Sequence, residues 1–283
     1  MRNLRTHWRW VLLLFLYSAD AHAWGLYTHV YFAQYLLWAI PLTDSRYYRA
    51  VRQFPGLALA GACLPDLALM GKAFGLHRVA DSHDWQLAHE LRNNAGSDAE
   101  RAIAVGYACH LWVDIIAHNH FVPAHETMWT NIPLLTHAAA EFAMDHYVGS
   151  HVYRRPSELL RTHEQQLAAY VSRHFQCGVP QARRALASLG AADGILRGSG
   201  LPGLCFHAAQ AVDKGLQRRF TYYLSETSGR LRQINRILGG ETPEWLADPP
   251  NPEAAQRRIA GIPRLTLRHR IPLPQDFFVA AEA

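Results

Sequence analysis

From Ser97 to about His118 the chain runs as one long apolar stretch in which His110, Asp114 and His118 stand four residues apart. At about 100° per residue, positions i, i+4 and i+8 fan across only ~80° of a helix face. Three good metal ligands therefore leave such a helix side by side. Their neighbours Ala102, Ile103, Val105, Leu111, Trp112 and Ile115 are apolar, so this face points inward. Burying two His and an Asp without compensation costs several kcal/mol. Metal coordination removes that cost, and a hydrogen-bonded polar cluster is the plain alternative. His120 competes with His118. On an unbroken helix it lies ~120° from Asp114, which favours His118, unless the helix breaks near Asn119.

The rest of the pattern is helical almost throughout. Residues 27 to 40 and 56 to 70 carry helically spaced apolar positions, the second run interrupted at Pro65. The segment Thr43 to Ser45, the pair Asp81 and Ser82, and the pair Ser97 and Asp98 supply N-caps. The helix begun at Asp81 or Ser82 should run to about Asn93. Pro123 should stop the long helix, and Pro133 opens another to about Val148. Residues 156 to 176, 180 to 190 and 205 to 238 complete the set, and from about 239 a Pro-rich segment reads as an irregular surface tail. No period-2 strand series and no internal repeat appear. The expectation is one all-α, multi-helical domain over residues 24–283.

Composition narrows the class. The chain has 283 residues, 49% hydrophobic and 18% charged, which excludes a disordered or collagen-like protein. A formal charge of +5 does not by itself argue for nucleic acid. The apolar run Trp10 to Tyr17 is too short to span a bilayer. With Arg2, Arg5 and Arg9 before it and Ala21-His22-Ala23 after it, residues 1–23 read as a secretory signal without a lipoprotein cysteine. The expected mature chain starts at Trp24 and is periplasmic or secreted, with no transmembrane helix. Export permits disulfides among Cys63, Cys109, Cys177 and Cys205. Cys177 with Cys205 is the most natural pair, and buried free thiols are the alternative. Seventeen His against two Lys is the odd feature, because His is the commonest metal ligand.

Further metal-capable residues follow the same logic. His137 and Glu141 stand one turn apart among apolar residues, with Asp145 on the same face, placed to orient a ligand. A His/Glu pair of this kind taken alone is an ordinary surface pair. Asp66 follows Pro65 in a hydrophobic stretch, where its alternative role is a helix cap. His83 sits near a helix start and is preferred to His77. Signal cleavage would expose the α-amino group of Trp24, a possible nitrogen ligand, five residues before His29.

Taken together these residues resemble the zinc-dependent phospholipase C family and its relatives, the fungal single-strand-specific zinc nucleases. The resemblance covers about residues 24 to 148. It implies an all-α fold with up to three zinc ions in one cleft, bound by Trp24, His29, Asp66, His83, His110, Asp114, His118, His137 and Glu141. It makes Asp114 a carboxylate bridge between two ions. The step from Trp24 to His29 is nuclease-like, whereas Glu141 is the phospholipase choice. Two departures stand out: a shortened segment from His83 to His110, and a histidine four residues after Asp114, where the well-studied enzymes have theirs at six.

Such a centre implies phosphodiester hydrolysis, with Asp66 as the catalytic carboxylate that orients or deprotonates the attacking water. Three zinc ions carry +6, and Asp66, Asp114 and Glu141 offset only −3, so an anionic phosphodiester is attracted. The expected partner is a phospholipid or other phosphodiester, with transient membrane-surface contact and no obligate protein partner. Single-stranded nucleic acid is the alternative substrate, and a non-catalytic metal-stabilised binding protein is the rival of another class. Trp85, Trp112, Phe121 and Trp129 are candidates for an apolar rim. Arg154 with Arg155, Arg183 with Arg184, Arg218 with Arg219 and Arg257 with Arg258 are candidate basic pairs. Among the other histidines, His125 and His146 flank the proposed cluster most closely.

Overall fold

A computed structural model describes residues 25–129, 133–248, 252–271 and 273–279. The expected signal segment and Trp24 lie outside the described residues. Helices and turns make up these residues, with no strand among them, so the fold is all-α.

The centre is α5 (Asp98–Ile116), capped by Ser97, whose hydroxyl accepts from the Glu100 backbone N–H at 3.2 Å. Every residue from Ala102 to Ile116 is buried. A helix apolar all round must be enclosed on every side. The neighbours are α1 (Leu26–Ala39), α2 (Ser45–Gln53), α3 (Pro55–Gly61) and α4 (Trp85–Asn93). Asp44 caps α2, accepting from Arg46 N–H at 2.8 Å. Asp84 caps α4 in the same way through Gln86 N–H. The helix expected from Asp81 or Ser82 therefore starts later, at Trp85. Asp81 instead ends a single 3-10 turn.

Past Ile116 the chain makes a π turn, Ala117–Phe121, and continues as α6 (Val122–Met128). Pro123 does not stop the helical run. It sits in the first turn of α6, directly after the π turn. α7 (Pro133–Val148) packs against α1 and α6. The C-terminal half adds α8 (Pro156–Thr162), α9 (Glu164–His174), α10 (Val179–Gly198), α11 (Leu201–Val212), α12 (Leu216–Arg230) and α13 (Ile234–Gly239). The expected segment 205 to 238 is thus divided, at Asp213 and again at a 3-10 turn, Leu231–Gln233.

The tail is not the irregular surface wrap that its proline content suggests. It forms α14 (Pro252–Ala260) and α15 (Arg264–His269), and it buries Ile259, Leu267, Ile271, Phe277 and Phe278. Phe278 stacks on Trp112 with ring centroids 5.3 Å apart. Among the described residues no single helix is long and apolar enough to cross a membrane. All four cysteines are free thiols, so the Cys177–Cys205 pairing is not formed.

Two glycines let α3 approach α5 backbone to backbone. A Cβ on Gly106 would overlap the Ala58 carbonyl oxygen, and one on Gly61 would overlap that of Ile103. One turn beyond Gly106, the His110 Nδ1–H donates to the Ala62 carbonyl oxygen at 2.8 Å. Gly106→Ala must push these backbones apart. It is expected to cost about 3 kcal/mol in urea unfolding, at the upper end of overpacking penalties.

Candidate metal centre

Asp114 lies in the last turn of α5, just before the π turn, and is completely buried. Its two carboxylate oxygens face different histidines. Oδ2 is 2.9 Å from His110 Nε2 and 3.7 Å from His83 Nε2. Oδ1 is 3.3 Å from His29 Nε2 and 3.7 Å from His118 Nε2. Asp66, in the 3-10 turn that follows the break at the end of α3, brings Oδ1 to 4.0 Å from His110 Nε2. His83 and His110 present their Nε2 atoms to each other at 3.3 Å. His29 and His110 stack with ring centroids 3.5 Å apart.

Three donor sets result, each with its ligand atoms within 4.8 Å of one another: His29, Asp66 and His110; His83, His110 and Asp114; His118, His137 and Glu141. Tetrahedral zinc with bonds of about 2.0–2.2 Å places its ligand atoms roughly 3.4 Å apart. The separations around Asp114 and His110 fall close to that value. The tautomer of His110 supports the fit. Its Nδ1 must donate to the Ala62 carbonyl, so the neutral ring turns a lone pair at Nε2 toward the Asp114 carboxylate and the His83 ring. Burial lowers the His110 pKa and so favours that neutral form. An acceptor facing a carboxylate in a dry interior needs a cation between them. Asp66 shows the same strain, since burial pushes its carboxyl up to about 8.

The third set is held differently. Burial opposes the charged form of His137, but the carboxylates of Glu141 and Glu126 overcome it and hold the pKa up at about 10. Glu141 itself is pushed up to about 7 by burial, with His137 opposing. Metal entry here must displace a proton from His137.

The structure brings eight of the nine expected ligands into this region, Trp24 being outside the described residues. The π turn leaves His118 beside Asp114 and stacks it near His137, with centroids 5.8 Å apart. His120 turns away, against Trp245 and Phe277, and burial brings its pKa down to about 3. His83 reaches the cluster, whereas His77 is exposed elsewhere.

Several expectations change. Asp145 binds the backbone turn that carries His29. It accepts from the Thr28 backbone N–H at 2.9 Å and the Thr28 hydroxyl at 2.7 Å, capping α1 from outside and pairing with Arg197. Trp85, Trp112 and Phe121 are core residues rather than a rim. Arg219 is fully buried and paired with Asp213, so that basic pair is not simply solvated. His125 is enclosed by Phe121, Trp129 and Phe220, and His146 lies on Phe206. Sequence reasoning missed Glu126, whose Oε1 lies 3.6 Å from His137 Nδ1 while Oε2 accepts from Gln256 in the tail. It has no periodic relation to His137, so spacing could not reveal it.

The profile of the family described as zinc dependent phospholipase C matches residues 28–177, more than half of the chain. The chain belongs to the zinc-dependent phospholipase C family. No curated protein and no solved structure matches it. The matched span takes in all eight described ligand candidates, from His29 to Glu141.

A zinc-dependent family and this donor set together imply folding linked to metal binding. Chelation of the purified protein should lower its Tm by roughly 10 °C, the shift for a ligand held at about a thousandfold excess over Kd. A chelator-insensitive Tm in calorimetry would identify a hydrogen-bonded polar cluster instead.

Proposed function

We propose that the protein is a phospholipase C-like phosphodiester hydrolase with a trinuclear zinc site. The single observation that supports this most is the division of Asp114 between two sides, with Oδ2 toward His110 and His83 and Oδ1 toward His29 and His118. Asp66, His83, His110 and Asp114 would hold one ion, and His118, His137 and Glu141 a second. His29 and Asp114, with the terminal amino group of Trp24 after signal cleavage and export, would hold the third. When bound, the zinc ions supply positive charge that brings the pKa of water toward neutrality and offsets charge on the phosphoryl oxygens.

The chain's own residues do the rest. Ala62 fixes the His110 tautomer through its carbonyl. Glu126 orients His137 from its far side. Asp66, at the edge of the cluster, accepts a proton from water as the water oxygen attacks phosphorus. The P–O bond to the lipid alcohol breaks, and the proton returns to the leaving oxygen. Glu141 in the last ligand position supports a phospholipid substrate over nucleic acid.

The test measures zinc by elemental analysis, then hydrolysis of phosphatidylcholine and of single-stranded DNA. Zinc and release of a phosphorylated head group are expected, with Asp66→Ala lowering kcat by about 10²–10⁴-fold. Preferential cleavage of DNA would establish the nuclease reading. Zinc without either activity would establish the binding-protein reading, and absence of zinc would sink all three.

A further inference from the structure

A cavity of about 630 Å³ lies between the C-terminal end of α6, the junction of α11 with α12, and α15. Met128, Trp129, Asp213 and Gly215 line it together with the cationic side chains Lys214, Arg218 and Arg268. Its one carboxylate is already engaged. Asp213 pairs with the buried Arg219, accepts from Trp129 Nε1 at 3.2 Å and accepts from the Gly215 backbone N–H at 3.0 Å. Among the described residues no ion pair includes Lys214, Arg218 or Arg268. Three exposed cations therefore surround one pocket with no acidic group left to neutralise them.

The rim is aliphatic. Val212 is 79% exposed and Leu265 is 68% exposed, and both line the same cavity. Charge alone would suit any phosphate-bearing partner. Cations flanked by protruding aliphatic side chains match a membrane interface, where apolar tips enter the acyl boundary and Lys and Arg meet anionic head groups. A nucleic-acid groove would instead present stacking aromatics beside its cations. The lining offers two aromatic rings, and both are engaged: the Trp129 indole N–H donates to Asp213, and His269 Nδ1 lies 3.4 Å from the Arg218 guanidinium.

We infer that this cavity is a docking site for an anionic phospholipid surface, with a lipid phosphate between Lys214, Arg218 and Arg268 and with Val212 and Leu265 inserted beside it. The inference rests on the phospholipid reading for its occupant, but none of its residues belongs to the metal cluster. It gives the enzyme a second contact with the interface, separate from the scissile bond.

The test is cosedimentation of the zinc-loaded protein with phosphatidylcholine vesicles, with and without phosphatidylserine. Added phosphatidylserine should strengthen binding, and raised salt should weaken it. The double variant Lys214→Glu/Arg218→Glu should bind anionic vesicles at least about tenfold more weakly, and Val212→Asp/Leu265→Asp should also lose binding. All four positions are exposed, so Tm and hydrolysis of a water-soluble short-chain phosphodiester should stay at wild-type levels. Equal binding with and without phosphatidylserine, or equal binding by the variants, overturns the inference. So does complete displacement by inorganic phosphate, which would mark a free-phosphate site, or tighter binding of a single-stranded oligonucleotide through the same residues. If no phosphodiester is hydrolysed but anionic vesicles still bind through Lys214 and Arg218, the proposed activity falls and the docking site stands.

Discussion

A carboxylate buried in the last turn of an apolar helix is the constraint around which the rest is arranged. Asp114 is completely buried, and a lone ionised carboxylate in such a place would cost several kcal/mol. Four histidines from three separate stretches of chain converge on it. His29 comes from α1, His83 from the loop before α4, and His110 and His118 from the turns on either side of Asp114 itself. Each must be delivered by packing of otherwise apolar elements. The close glycine contact between α3 and α5 brings the Ala62 carbonyl to His110, which fixes the face that ring offers.

The two halves of the chain meet around this centre. Asp145 on α7 caps α1 and so holds the turn that carries His29, while Arg197 on α10 pairs with Asp145 from the C-terminal half. The tail reaches the same region from another side. Asn119 in the π turn donates to the Leu246 carbonyl at 3.0 Å and accepts from Arg258 at 3.2 Å, and Gln256 donates to Glu126. Residues beyond the family match thus brace the elements that carry the cluster.

The candidate site was legible where ligands share a helix, because a 3.6-residue period converts spacing into direction. His110, Asp114 and His118 are an example, and so are His137 and Glu141. His29, Asp66 and His83 were legible through the resemblance in combination. Glu126 and the capping role of Asp145 were not legible, since each depends on which helix lies opposite. Trp85, Trp112 and Phe121 could be either rim or core by sequence, and enclosure by neighbouring helices made them core.

By itself the sequence determined the all-α class, the inward face of α5 and the residue types gathered there, because apolar periodicity and ligand spacing are local properties of the chain. Only the tertiary structure decided that the π turn leaves His118 at Asp114 while His120 packs on Trp245 and Phe277. It also decided that the proline-rich tail folds into two helices and a buried aromatic pair, and that α4 begins at Trp85 under an Asp84 cap. The reason is the same in each case. Where a side chain or turn has two locally acceptable arrangements, the partner surface removes one of them, and that partner is remote in the sequence.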